Sequence, residues 1–230
     1  MKRSKKYIEA EKLIEKNKLY TIEEALELLP QVSTAKFDSA LEIHFLLHLS
    51  DKQKKESIKG STTLPHQVGA AKRIAVVTTP EHTAEAEAAD VTGFEDLIKK
   101  IEDGYSEFDV LIATPDVMPK MASLGKVLGP KGKMPNPKNG TITTDLKKAI
   151  KTYKEGKLNF KADKQGGIHL IFGKTNMTKE QLLKNLTILL KAVHQETSKL
   201  NAIPFKSVFV TPTMGPSIQL DINSLMKGLT

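Results

Sequence analysis

Two runs of apolar–polar alternation near opposite ends of the 230-residue chain constrain its fold more than anything between them. From Phe37 the alternation is strict: Phe37, Ser39, Leu41, Ile43, Phe45, Leu47 and Leu49 fall on one side, with Asp38, Glu42, His44 and His48 on the other. Near the other end, Val208 and Val210 lie opposite Ser207 and Phe209, and Ile218 and Leu220 lie opposite Gln219. A period of two marks a strand with one buried face. Neither run makes a sheet alone, so the two ends are expected to pair. The C-terminal runs meet at Pro212-Thr213-Met214-Gly215-Pro216, a hairpin connection in which Gly215 supplies backbone freedom and the prolines remove two amide donors. Read from its residues alone, this corner is either a plain turn or a surface that presents Thr213 and Met214 to a partner.

Between the two ends the pattern changes to alternating strands and helices. Arg73 to Thr79 reads as a short buried strand, Pro80 to Ala89 and the segment from Phe94 as helices, and Phe108 to Pro115 as a second strand leading into a short helix near Met118. Thr144 to Glu155 reads as the last helix of this stretch. Such alternation implies a parallel sheet with crossover connections. The expected architecture is therefore α/β and α+β in two domains: residues 1–67 and 159–230 form a discontinuous α+β sandwich, and residues 68–158 form an inserted Rossmann-like α/β domain. The sandwich takes its helices from residues 4–17, from the segment after the capping box Thr21/Glu24 up to Pro30, and from the segment after Thr178, with Gln181 in the box position. Asp51 to Ser61 reads as a polar loop. Phe160 to Lys174 reads as a strand, a turn at Gln165-Gly166-Gly167 and a second strand.

The chemistry of the chain is defined mainly by what it lacks. No cysteine is present, which excludes disulfides and thiolate metal sites. No G-x-S-x-G, G-x-x-x-x-G-K-[ST] or G-x-G-x-x-G occurs, and the histidines lack metal-ligand spacing. An NAD-dependent enzyme is the rival class because of the α/β middle, and the missing glycine fingerprint after Arg73 to Thr79 counts against it. No cofactor is expected. Apolar runs such as VLIA at Val110 fall far short of the ~20 residues that span a bilayer. Acidic residues at Glu9, Glu11 and Glu15 argue against a secretory or transit segment. The net charge of +8 points to an anionic partner. Lys and Arg number 12 against 10 Asp and Glu in residues 1–67, 14 against 13 in 68–158, and 9 against 4 in 159–230, so the two ends carry most of the excess.

Three stretches carry a more specific signal in this order: Thr34 to Phe45, Gly129 to Thr141 (GPKGKMPNPKNGT) and the Thr-Met-Gly-Pro corner. Together with TIEEAL at Thr21 and LPH at Leu64 they closely resemble the large-subunit ribosomal protein L-one family, the proteins of the mobile ribosomal stalk. The resemblance spans nearly the whole chain and implies the same two-domain arrangement, no enzyme activity and a place in the cytoplasmic large ribosomal subunit. It implies that the terminal domain binds large-subunit rRNA, that the stalk assists release of deacylated tRNA from the exit site, and that bacterial members repress translation of their own mRNA. Implied partners are therefore rRNA, exit-site tRNA, the chain's own mRNA and other ribosomal components. The family's RNA-contacting positions fall on Lys36, Phe37, Glu42, Lys164, Ser207, Thr213, Met214 and Gly215, with Lys161 added where the family commonly has Arg. Alternation alone makes Phe37 a core residue, whereas the resemblance places it beside the RNA. The lysines Lys126, Lys131, Lys133 and Lys138 form a basic loop suited to a secondary RNA or tRNA contact. Lys131 stands where Arg is usual, Lys133 where an apolar residue is usual, and Pro212 is a further departure.

Overall fold

The computed structural model describes residues 3–15, 17–49, 58–69, 72–198 and 205–227. Lys52, Lys54 and Lys55 of the expected polar loop, and Asn201 and Pro204 of the expected linker, lie outside the described residues. In chain order the elements are α1 (Lys5–Lys12), α2 (Ile22–Val32), β1 (Ala40–Leu47), β2 (Lys59–Thr63), β3 (Ile74–Val77), β4 (Val91–Gly93), α3 (Glu95–Glu102), β5 (Val110–Ala113), α4 (Met118–Met121), α5 (Gly125–Leu128), α6 (Leu146–Lys154), β6 (Lys157–Lys161), β7 (Gly167–Lys174), α7 (Lys179–Ser198), β8 (Phe205–Pro212), β9 (Ile218–Gln219) and α8 (Ile222–Lys227). Mixed helices and sheets follow from the alternating patterns. The chain divides into two compact units, Met1–Gly69 with Asn159–Thr230, and Ala70–Leu158.

The terminal unit is organised by an antiparallel sheet in the order β7-β1-β8-β9. β1 lies at its centre, with His44 opposite both His169 on β7 and Phe209 on β8. One face is dry: Leu41, Ile43, Phe45 and Leu47 of β1 are buried with Ile168, Leu170 and Phe172 of β7 and Val208 and Val210 of β8. This face packs on α2, through Ala25, Leu26, Leu29 and Val32, and on α7, through Leu182, Leu186, Leu189 and Val193. Both helices are capped as their sequences suggest. Thr21 and Glu24 exchange side-chain and backbone bonds at α2, and Thr178 and Gln181 do the same at α7. The other face stays partly open, with Glu42, His44, Phe209 and Thr211 half-buried.

Several local expectations are corrected. α2 does not stop at Pro30 but runs to Val32. Pro30 has no N–H for the carbonyl of Leu26, but it sits in the last turn, where few later bonds depend on it. The strand expected from Phe37 starts at Ala40, so Phe37 belongs to the preceding loop. Lys59 to Ser61, the end of the expected polar loop, belong to β2, which pairs with β6. The sequence of β2, KGSTT, hides the strand because the ladder is imposed by its partner: a Cβ on Gly60 would lie 2.4 Å from the Phe160 ring. β6 and β7 therefore join different sheets instead of pairing as a hairpin.

The second unit holds a parallel sheet in the order β4-β3-β5. Both faces are covered: Ala75, Val77, Leu111 and Ala113 pack with Leu97, Ile98 and Ile101 of α3, whereas Ile74, Val76 and Ile112 pack with Leu146, Ile150 and Tyr153 of α6. Continuous apolar runs such as IAVV are the consequence of two buried faces. Pro80 to Ala89 reads as a helix from sequence, but only Pro80–Glu85 is helical, as 3-10 turns; among its described side chains Ala86 alone is a buried apolar anchor. β4 is three residues long and carries no periodic signal of its own.

Asn185 is the polar keystone of the terminal unit. Fully buried, it accepts from the His66 amide (3.1 Å) and donates to the carbonyls of His66 and Phe172 (2.9 Å each), which ties the Leu64-Pro65-His66 turn to α7 and β7. Asn185→Ala leaves these groups unpaired away from water and is expected to cost about 2–4 kcal/mol, read as a lower urea midpoint at unchanged slope.

Candidate nucleic-acid interface

The Thr-Met-Gly-Pro corner closes at the end of β8 as a turn in which the Gly215 amide donates to the Pro212 carbonyl at 3.0 Å. Pro212 is accommodated as the last residue of the strand, opposite Leu41, where its missing N–H is not needed. Met214 takes a left-handed conformation at φ 66°, which costs a non-glycine residue roughly 1–2 kcal/mol. Its side chain is 76% exposed. Gly215 is required by close approach: a Cβ there would lie 2.9 Å from the Val32 carbonyl oxygen and 2.5 Å from Pro212 Cγ.

Three hydrogen bonds fasten the corner to the start of β1 and the loop before it. Thr213 donates twice to the Ala40 carbonyl, through its amide at 2.9 Å and its hydroxyl at 3.1 Å, and the Thr34 hydroxyl donates to the Met214 carbonyl at 3.0 Å. The loop between Thr34 and Ala40 carries Lys36 and Phe37, both exposed, and Phe37 is 63% exposed. The structure thus corrects the core placement that alternation gives Phe37. The Thr213 hydroxyl proton is committed to the Ala40 carbonyl, which leaves this side chain to act toward a partner as an acceptor.

From the corner the open face of the sheet runs along β1 for about 23 Å, at ~3.3 Å per residue. Glu42 and His44 lie on it, with His169 and Ile171 of β7 and Ser207, Phe209 and Thr211 of β8 as neighbours. Ser207 stands opposite Leu46, at the far end from the corner. That end abuts the turn at 162–166, which holds exposed Lys164; the Gly166 carbonyl accepts from the Leu47 amide at 3.0 Å. Asp163 shapes this turn by accepting from the amides of Gln165 (2.8 Å) and Gly167 (2.6 Å), and the Gly167 bond in particular holds its carboxyl below the usual range. Lys161 is exposed but belongs to β6, outside the four-stranded sheet. The residues named from sequence therefore form two groups at the ends of one face, Lys36, Phe37, Thr213, Met214 and Gly215 at the corner and Ser207 and Lys164 at the far end, with Glu42 between.

Sequence reasoning missed the centre of this face. His44 and His169 are joined by a 2.9 Å contact between their Nδ1 atoms, one donating to the other, with Glu42 3.7 Å from His44 Nε2 and Asp163 3.9 Å from His169 Nε2. Burial, and next the neighbouring His169, lowers the His44 pKa below its usual value near 6.5, while Glu42 opposes them. Only the pairing of β1 with β7 makes them neighbours, so no local signal announces the pair. Among the described residues no group of three or more His, Asp or Glu is arranged to hold a metal, and no helix is long and apolar enough to cross a membrane.

In the second unit the basic loop is partly a helical turn, α5. Lys126 and Lys131 are exposed, with Lys131 donating to the Ser106 hydroxyl at 3.1 Å. Lys133 is a correction: its ammonium donates to the carbonyls of Ser106 and Phe108 and lies 5.3 Å from the Phe108 ring centre, so it staples the loop to the start of β5 instead of standing free as a surface cation. The backbone at Lys138 is a 3-10 turn.

The terminal unit is a helix-backed antiparallel sheet with one partly open face, and the second unit holds a small parallel α/β sheet. Comparison with known proteins makes this specific. The profile of the ribosomal protein L1p/L10e family matches residues 29–216. Large ribosomal subunit protein uL1c of Trieres chinensis is 46% identical over 212 residues, covering 90% of this chain and 92% of that protein. Protein uL1 of Prochlorococcus marinus (strain MIT 9215) is also 46% identical, over 91% of this chain and 90% of its own, and uL1 of Kosmotoga olearia is 42% identical over 98% and 99%. The chain belongs to the L1p/L10e family of ribosomal proteins, whose members are structural and not enzymes.

Two outcomes test the geometry of the face. Met214→Gly removes the exposed side chain and relieves the left-handed strain, offset by greater freedom in the unfolded chain, so stability is expected to change by less than about 1 kcal/mol. A plain turn then loses nothing, whereas a contact surface loses partner affinity. For His44, a lowered folded pKa means that the unfolded chain binds more protons, so its contribution is complete above about pH 6.5 and is lost as pH falls below it. His44→Asn is expected to flatten the fall in Tm between about pH 7 and pH 5.

Proposed function

We propose that this chain is a structural constituent of the large ribosomal subunit that grips a folded element of large-subunit rRNA with the corner and open face of its terminal unit. The observation that carries this is the exposure of two large apolar side chains, Met214 and Phe37, on two loops hydrogen-bonded to each other. Burying them would serve folding; exposing them in a fixed geometry serves a partner. RNA is recognised largely by stacking on aromatic rings, by ribose hydroxyls and by shape, and the corner offers an aromatic ring, a thioether and acceptor oxygens. Glu42 and Ser207 add acceptors along the face. Lys36 at one end, and Lys164 with Lys161 at the other, supply the phosphate contacts. Because lysine lacks the bidentate fork of arginine, these contacts set affinity more than geometry.

The family membership supports the finer reading. The bound RNA element and this chain form the mobile stalk that assists release of deacylated tRNA from the exit site, and the same surface represses translation of its own mRNA by binding a similar structure there. Residues 68–158 are an inserted domain that primary binding does not need, and their exposed lysines, Lys126 and Lys131, with Lys138, form the secondary contact to RNA or tRNA. The large ribosomal subunit is then where the protein resides.

Titration of the full-length chain against the rRNA stalk element at several salt concentrations tests the reading. Affinity is expected to fall linearly with log salt, and Lys164→Ala to lower the slope by about one unit through the loss of one phosphate contact. A flat salt response contradicts it.

A further inference from the structure

A second recess adjoins this face. A cavity of about 230 Å³ lies between α1 and the β8–β9 edge, lined among others by Arg3, Tyr7, Glu11, Asn17, Phe209 and Gln219. It begins where the corner ends, since Pro216 and Ser217 also border it, and it shares Phe209 with the open face of the sheet. Its size exceeds several waters at ~30 Å³ each and falls below the ~300 Å³ floor of drug-sized pockets, which suits one planar heterocycle. The lining matches that class. Arg3 lies over the Tyr7 ring at 4.4 Å, which supplies cation and aromatic planes, while Asn17 and Gln219 bring side-chain amides. Asn17 is held at φ 68°, a left-handed conformation that fixes the wall behind α1. Arg3 Nη1 donates to Glu11 Oε1 at 3.0 Å, which places a guanidinium and a carboxylate side by side in the lining.

We propose that this recess is a base-reading site that receives one unpaired guanine of the bound RNA. Guanine alone among the four bases carries adjacent N1–H and N2–H donors on its pairing edge, the complement of the two oxygens of Glu11, and its O6 and N7 are acceptors that suit Arg3. A base leaving the corner at Gly215 reaches the recess by following Pro216 and Ser217, with Phe209 as a stacking wall. The inference rests on the RNA-binding reading above and adds to it a site that contributes sequence preference, where Thr213 and Met214 contribute shape.

The test uses the full-length protein and the rRNA stalk element. A dicarbonyl reagent that adds across N1 and N2 of unpaired guanine is expected to be blocked at one guanine in the wild-type complex and to react there again in Glu11→Gln, with the remaining footprint unchanged. Each unpaired guanine is then replaced in turn by inosine, which lacks N2. At the guanine in question, inosine is expected to weaken wild-type binding about tenfold and Glu11→Gln binding not at all, because the variant has already lost the partner of that amino group. The inosine arm leaves the protein intact, so it holds even if the variant misfolds. Binding that depends on Met214 but shows no protected guanine, or an inosine penalty equal in both proteins, overturns the pocket and leaves the interface standing. Absence of any wild-type binding removes both.

Discussion

The carbonyl of Ala40 accepts both the amide and the hydroxyl of Thr213, residues 173 apart in sequence. This junction sets where the N-terminal strand begins and where the C-terminal strand turns. It seals the corner end of the β1–β8 ladder, places the Lys36–Phe37 loop beside Met214, and forces the chain between the two strands to leave and return. Closing so long a loop costs only logarithmically more than closing a short one, so an intervening folded unit is tolerated. The apolar face against α2 and α7 supplies the compensating burial. The strained φ of Met214 persists because the residues on both sides of it are already hydrogen-bonded.

The resulting face is chemically graded. Its corner end carries the exposed Phe37 and Met214 with one cation, Lys36, its middle holds a histidine pair flanked by Glu42 and Asp163, and its far end is basic at Lys164. On the proposed reading, lysines at both ends would attract the phosphate chain and the rigid corner would discriminate by fit. One histidine donates to the other across the short contact, and burial, with the neighbouring His169, lowers the His44 pKa and so favours its neutral ring. Lys133 illustrates the opposite fate of a charge, drawn inward to satisfy two carbonyls of its own unit.

Much of this was legible in the sequence because period-two and helical patterns report burial directly. β1, β8, α2 and α7 were readable for that reason, as were both capping boxes. β2 was not, because its four polar residues and one glycine become a strand only when Lys157–Lys161 lies alongside. The placement of Phe37 illustrates the limit of alternation, since a pattern identifies a face only within a strand and not one turn before it. The corner was recognisable by its residues, but the commitment of the Thr213 hydroxyl to Ala40, the His44–His169 contact and the recess beside α1 all arise from residues distant in the chain, which no local period encodes.

The central claim is that the corner and the Thr34–Ala40 loop act as one contact surface for RNA. Amide hydrogen exchange of the full-length chain, measured with and without the rRNA stalk element, tests it most directly. The account predicts slower exchange in RNA at residues 34–42 and 211–217 together, with residues 74–113 of the parallel sheet unchanged. Protection confined to the parallel α/β unit, with the corner and its loop exchanging as in the free protein, would contradict it.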